Sequence, residues 1–156
     1  GHMATGKTEI DGATYYLGTE KDGFMRTGWI RLEENSHAPG ASESWYYFNS
    51  DGKMVTTQYD KKIDGSYYTF IDGKMQTGWL LYNNTWYYLS ESGAMVTGWI
   101  TLGDKAYYLG GDGGMLTGWQ NIDGQIYYLY PDGHKAVNEV IDTFYVDQDG
   151  IWRKPQ

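Results

Sequence analysis

Aromatic side chains at a regular spacing are the residues of this chain that could do chemistry. Its 156 residues include 16 Tyr and 7 Trp. Paired tyrosines recur, and from the second pair onward they follow at intervals of about twenty residues, at Tyr15-Tyr16, Tyr46-Tyr47, Tyr67-Tyr68, Tyr87-Tyr88, Tyr107-Tyr108 and Tyr127-Tyr128. The face of an aromatic ring attracts cations, so rings that converge at a fixed spacing are candidates for a binding surface.

Two further markers keep the same phase as the tyrosine pairs. Methionine recurs at Met25, Met54, Met75, Met95 and Met115, with His134 assigned to the sixth place. The tripeptide Thr-Gly-Trp ends at Trp29, Trp79, Trp99 and Trp119, and Tyr59 takes that place in the third unit. Three markers in register predict an array of internal repeats.

Each repeat has the pattern of a β-hairpin followed by a loop. In the fourth repeat, residues 79–82 and 85–89 are strand-like, and Asn83-Asn84 between them favours a type I′ turn. A single hairpin is marginally stable in water, so such units must stack on one another. The sequence therefore predicts an all-β solenoid of hairpin repeats of about twenty residues, with shortened terminal caps.

The domain prediction is one repeat module over residues 4–156. Gly1-His2-Met3 is interpreted as the remnant of a cleaved tag. The second repeat carries an insertion from Glu33 to Glu43, and the third has Asp64-Gly65 one residue late, which predicts a bulge. The predicted repeats are 4–26, 27–56, 57–76, 77–96, 97–116 and 117–136, with a cap at 137–156.

The hairpin register predicts where the rings point. With Asn83-Asn84 in the turn, Trp79 and Trp86 share one face of their hairpin because side chains alternate along a strand. In a stack they should face Tyr107 of the next hairpin, with Met95 beside them, and form an open aromatic box. The alternative is that these rings only form the hydrophobic core between hairpins.

Composition excludes several other functions. The net charge of −8 argues against nucleic acid, which needs a basic face. The chain has no Cys, no metal-ligand spacing of His and no apolar run long enough for a transmembrane segment. The repeats use nearly every residue, so we expect no catalytic residues, no metal and no cofactor, although a parent protein could carry a separate catalytic domain such as a cell-wall hydrolase.

The combined motif resembles a known repeat. Gly-Trp, six residues, Trp-Tyr-Tyr-Leu and then Gly-x-Met-x-Thr-Gly-Trp, as in residues 78–99, is similar to the choline-binding (cell-wall-binding) repeats of bacterial surface proteins, autolysins and phage endolysins. The resemblance implies a left-handed superhelix and an extracellular place at the bacterial cell wall. It also implies that choline or phosphocholine of teichoic and lipoteichoic acids binds between hairpins, held by two aromatics of one repeat and one of the next.

Carried over to this sequence, the resemblance implies two complete cages and several incomplete ones. The complete cages are Trp79, Trp86 and Tyr107 with Met95, and Trp29, Trp45 and Tyr67 with Met54. Ala106 and Ile126 stand where Trp86 stands, and Tyr59 and Ser66 replace both ring positions of the third unit. The incomplete seams supply the further candidates Trp99, Tyr127, Trp119, Tyr59 and Tyr87.

Two other functions stay open at the level of sequence. Related repeats occur in glucan-binding regions of glucosyltransferases and in receptor-binding arrays of clostridial toxins, and the segment 121–128 is similar to those. A carbohydrate-binding array, with a glucan, a host glycan or a host protein as partner, is therefore the alternative. A purely structural stalk is the third possibility.

Overall fold

All regular structure in the described part of the chain is β-strand. The computed structural model describes residues 6–17, 25–33 and 43–153. The strands are β1 (Gly6–Ile10), β2 (Ala13–Leu17), β3 (Met25–Arg26), β4 (Gly28–Glu33), β5 (Glu43–Phe48), β6 (Gln58–Ile63), β7 (Ser66–Ile71), β8 (Lys74–Met75), β9 (Gly78–Tyr82), β10 (Thr85–Leu89), β11 (Gly98–Leu102), β12 (Lys105–Leu109), β13 (Gly118–Ile122), β14 (Gln125–Leu129), β15 (Glu139–Ile141) and β16 (Phe144–Val146). The prediction of an all-β protein is confirmed.

The described strands form seven antiparallel hairpins, numbered here in chain order. They are β1–β2, β4–β5, β6–β7, β9–β10, β11–β12, β13–β14 and β15–β16. In the fourth hairpin Asn83 and Asn84 both have positive φ, 51° and 61°, as a type I′ turn requires. Trp86 pairs with Leu81, and Tyr88 with Trp79. The hairpin register predicted from the sequence is therefore confirmed.

The hairpins belong to two compact units, one ending at Gln76 and the other beginning at Thr77. In the second unit a short loop after each hairpin turns back, so that Met95 bridges to Leu89 and Met115 to Leu109. The same loop also reaches the preceding hairpin, because the Met115 N–H donates to the Trp86 carbonyl at 2.8 Å. The Met115 loop thus holds the fourth and fifth hairpins together, as a repeat stack needs. The handedness of the superhelix stays a prediction.

The core is a ladder of residues at the end of each return strand. From the second hairpin to the seventh, these residues are at most 2% exposed: Phe48, Phe70, Leu89, Leu109, Leu129 and Val146. In contrast, Trp86 is 41% exposed and Trp45 is 40% exposed. Within each unit, this core ladder, and not these tryptophan rings, therefore supplies the buried apolar contact.

The third hairpin contains the predicted bulge. Gln58 pairs with Phe70 and Lys61 with Tyr68, so β6 has one residue more than β7 between these pairs. The extra residue is Asp60, whose φ is 61°. Counted from the core residue Phe70, Tyr68 then takes the position that Tyr107 has in its hairpin, and Tyr67 takes that of Trp86.

The assignment of His134 to the sixth methionine place is wrong. The sixth loop bridges Leu129 to Lys135, where the fifth bridges Leu109 to Met115. Lys135, and not His134, therefore occupies the sixth methionine place. The last loop bridges Val146 to Trp152 in the same way, so Trp152 holds this place at the end of the array.

Candidate functional site

Three rings from two successive hairpins meet at the seam between the fourth and fifth hairpins. We use "seam" for the contact between one hairpin and the next, and name each seam after its first ring residue. The Trp79 ring centroid lies 6.5 Å from that of Trp86, with the planes at 90°, and 5.2 Å from that of Tyr107, at 71°. The structure thus brings together the three residues expected from the sequence, in edge-to-face arrangements that leave ring faces open.

These rings wall a cavity of about 300 Å³ that is also lined by apolar and acidic residues. The remaining lining residues are Met115, Pro131 and Asp132. Because Trp86 is 41% exposed, the cavity opens to solvent and differs from a packed core contact. An apolar, cation-attracting box with a carboxylate at its edge can hold a small organic cation.

Met95 does not line this cavity, and Met115 takes the part expected of it. The reason is the return path of the loop: the Met115 N–H bonds to the Trp86 carbonyl, so Met115 serves the seam before its own hairpin. The Met95 side chain lies instead over Gly113, whose φ of +90° and missing Cβ leave space for the sulfur.

The Asp132 carboxylate is held in its ionised form by its neighbour His134. The His134 N–H donates to it at 3.0 Å, and the His134 ring nitrogen Nδ1 lies 2.6 Å from the same oxygen. These hydrogen bonds, the backbone one first, place the pKa of Asp132 below its usual value. Asp132 therefore carries a full negative charge at the cavity rim at neutral pH.

The Trp29 seam forms a second triad, with one residue different from expectation. Trp29 lies 6.3 Å from Trp45, at 85°, and 4.9 Å from Tyr68, at 67°. Arg31 pairs with Trp45 as Leu81 pairs with Trp86, so the insertion does not disturb the register of Trp45. Tyr68 replaces the expected Tyr67 because the bulge at Asp60 moves every later residue of the third hairpin by one.

Tyr67 and Met54 belong to other places in the array. Tyr67 is 39% exposed and holds the position of Trp86 in the third hairpin, which was assigned from the sequence to Ser66. The Met54 N–H donates to the Thr14 carbonyl, so Met54 serves the seam between the first and second hairpins. Met75 packs instead, as Trp29 and Tyr68 do, against the core cluster of Val55, Ile63 and Phe70.

A lysine also lies in the Trp29 seam, outside its ring triad. The Lys61 Nζ is 6.0 Å from the Tyr47 ring centroid, at the outer limit of a cation–π contact. Residues 34–42 of the insertion lie outside the described residues.

The Trp99 seam has two rings and a built-in cation. Trp99 and Tyr127 lie 4.9 Å apart at 67°, the same geometry as Trp79 and Tyr107. Ala106 leaves the place of Trp86 without a ring. The Lys135 Nζ lies 5.2 Å from the Trp99 ring and 5.8 Å from the Tyr127 ring.

The Trp119 seam recruits rings that the sequence reasoning missed. Trp119, Ile126, Phe144 and Trp152 line a cavity of about 240 Å³. Phe144 lies 5.9 Å from Trp119 and 6.0 Å from Trp152. Alignment of the shortened last hairpin on its core residue Val146 would have revealed Phe144 in the place of Tyr107.

The remaining candidates, Tyr59 and Tyr87, lie in β6 of the first unit and β10 of the second. Their seam stays a prediction. Among the described residues no group of His, Asp and Glu is arranged to hold a metal ion. Over the same residues, no helix has the length and apolar character needed to cross a bilayer.

Family and structural comparisons point to one kind of protein. The choline-binding repeat family matches residues 61–97 and 96–139, and the cell wall binding repeat family matches residues 41–54. No curated protein matches the chain.

Among solved structures, choline-binding protein F of Streptococcus pneumoniae is 39% identical over 97% of the chain, with a TM-score of 0.83. CbpJ of Streptococcus pneumoniae TIGR4 is 39% identical over 96%, with a TM-score of 0.81. The chain spans 48% of the length of each of these two proteins. The cell wall endolysin of phage Cp-1, solved with choline, is 27% identical over 85% of this chain and 37% of its own, with a TM-score of 0.50.

Proposed function

Because this chain belongs to the family of choline-binding repeat proteins, we propose that it holds the trimethylammonium group of choline in the cage of Trp79, Trp86 and Tyr107. The observation that carries this proposal is the cavity of about 300 Å³ that these rings share with the acidic Asp132. The ligand is the phosphocholine of teichoic and lipoteichoic acids, and the module anchors its parent protein non-catalytically at the outer face of the bacterial cell wall.

The chemistry of the ligand suits this lining. A quaternary ammonium group has no N–H to donate, so ring faces and methyl burial must supply the attraction. Three rings at about 1–2 kcal/mol each support roughly 4 kcal/mol after losses, which corresponds to about millimolar affinity. The thioether of Met115 adds a soft apolar contact at the rim.

The negative charge of Asp132 favours a cation over a neutral sugar. Two unit charges about 4 Å apart attract each other by about 1 kcal/mol in water, and the attraction falls as their separation grows. The contribution is small, but a glucan would gain nothing from it. This supports choline over the carbohydrate alternative at the Trp79 seam.

Tight attachment to a polymer comes from several weak sites. The triad of Trp29, Trp45 and Tyr68 supplies a second cage of the same geometry. When two sites engage one teichoic acid chain, the second binding step is intramolecular and avidity exceeds either affinity by orders of magnitude.

A titration against choline and its uncharged carbon isostere, which has a tert-butyl group in place of the trimethylammonium group, tests this function. We expect choline to change tryptophan fluorescence at millimolar concentrations, and the isostere to be at least about tenfold weaker because it lacks the cation–π attraction. Dextran is the third ligand. A response to dextran with none to choline would replace this proposal by the carbohydrate one.

A further inference from the structure

Lys135 stands in the Trp99 seam where Met115 stands in the Trp79 seam. Its Nζ is 5.2 Å from the Trp99 ring centroid and 5.8 Å from that of Tyr127. Both distances fall within the range of about 6 Å for cation–π attraction. The same Nζ donates a hydrogen bond to the Asp149 carbonyl at 2.9 Å, which directs the ammonium group.

The surroundings of Lys135 are shaped to hold its side chain there. Ala106 stands where Trp86 walls the complete cage, so the missing ring leaves room for an approaching ammonium group. The lysine stem runs over Gly150, where a Cβ atom would lie 2.7 Å from Lys135 Cδ. The stem therefore packs against the last loop, whose backbone also accepts the hydrogen bond from Nζ.

We propose that the Lys135 ammonium is an internal ligand of the Trp99 seam and closes this seam to external quaternary ammonium ions. A tethered group acts at an effective concentration in the millimolar range or above, which matches a site of about millimolar affinity. Its positive charge also repels a second cation. The part of the proposal that concerns choline rests on the proposed function, whereas the ring contact of Lys135 does not.

An incomplete seam in the first unit, between the first and second hairpins, also has a lysine ammonium beside an aromatic ring. Lys7 pairs with Tyr16 as Trp79 pairs with Tyr88, so a lysine stands at the first ring position of the first hairpin. Its Nζ lies 4.5 Å from the ring centroid of Tyr46, which faces it from the second hairpin. Thr14 occupies the place of Trp86 there. Two seams that lack the second tryptophan thus carry a lysine ammonium of their own.

The ring contact is tested without any choline. In the whole protein, the ε-methylene protons of Lys135 should resonate upfield of those of the exposed Lys105, because they lie in the ring-current field of Trp99. Reductive methylation should also modify Lys135 more slowly than Lys105. Trp99→Ala should reduce both differences, because only the Tyr127 ring and the Asp149 carbonyl then remain beside the ammonium group. Equal shifts and equal rates for the two lysines in the unaltered protein would overturn the proposal.

Closure of the seam is tested by choline titration with the indole N–H signals of Trp79 and Trp99 followed together. In the unaltered protein we expect Trp79 to shift and Trp99 to stay. Lys135→Met, and more strongly Ala106→Trp with Lys135→Met, should add a choline response at Trp99 within about tenfold of the Trp79 affinity. Lys135→Arg keeps the cation and should keep the seam closed.

The outcomes separate this proposal from the proposed function. If Trp99 shifts in parallel with Trp79 in the unaltered protein, or if both methionine variants leave Trp99 silent while Trp79 responds, Lys135 does not close the seam. If Trp79 itself is silent, the proposed function fails, and the ε-methylene shift of Lys135 still decides whether the lysine occupies the rings.

Discussion

Truncation of Trp86 to alanine distinguishes a role of this side chain in ligand binding from a role in packing. Its ring is 41% exposed and meets Trp79 edge-on at a centroid distance of 6.5 Å. Ala106 and Ile126 occupy the same place in the next two hairpins, whose backbone pairing is the same. The fold therefore accepts a small side chain there, and Trp86→Ala should remove one wall of the cage with little effect on the stack.

The expected magnitudes follow from these contacts. An edge-to-face aromatic pair contributes about 1 kcal/mol, so the melting temperature should fall by about 2–4 °C. The loss of one cation–π wall of about 1–2 kcal/mol should weaken choline binding at this seam about 5- to 30-fold. Leu109→Ala is the matched control, because Leu109 is fully buried in the core ladder. It should cost about 2–5 kcal/mol of stability.

The measurement is paired for each variant: thermal unfolding without ligand, and calorimetric titration with choline. We expect Trp86→Ala to lose affinity and keep most of its stability, and Leu109→Ala to lose far more stability. A Trp86→Ala protein that binds choline normally would remove Trp86 from the cage. One as unstable as Leu109→Ala would make the ring a core residue.

Three other predictions concern neighbouring residues. Tyr68→Leu should weaken choline binding to the Trp29 cage several-fold, as measured by the indole signal of Trp29. The matched Tyr67→Leu should leave this binding unchanged. Equal effects of the two substitutions would contradict the bulge-shifted register. Asp132→Asn should weaken choline binding at the Trp79 seam about twofold in low salt and less in high salt, as measured by calorimetry. A loss of affinity that does not depend on salt would argue against a charge effect. The hydrogen bond from the Tyr130 hydroxyl to Glu139 raises the pKa of Tyr130 to about 12, so the stabilising effect of this bond is present below pH 10 and lost between pH 10 and 12. Glu139→Gln should return the pKa of Tyr130 toward 10, as followed by NMR titration. An unchanged pKa would refute the assignment.

The sequence determined what lies within each hairpin, because those features depend on local chemistry. Asn83-Asn84 sets a two-residue turn, and alternation along the strands then puts Trp79 and Trp86 on one face. The repeat period places Tyr107 opposite them. The membership of the Trp79 triad and the presence of a bulge after Gln58 could therefore be predicted without any tertiary contact.

Only the tertiary structure decided which residues complete each seam from a distance. The loop after one hairpin bonds back to the hairpin before it, so Met115 and not Met95 reaches the Trp79 cage, and Lys135 reaches Trp99. The extra residue at Asp60 places Tyr68, and not Tyr67, beside Trp29. A one-residue shift reverses the face of every side chain that follows, and the sequence pattern cannot show which strand absorbs it until the strands are paired.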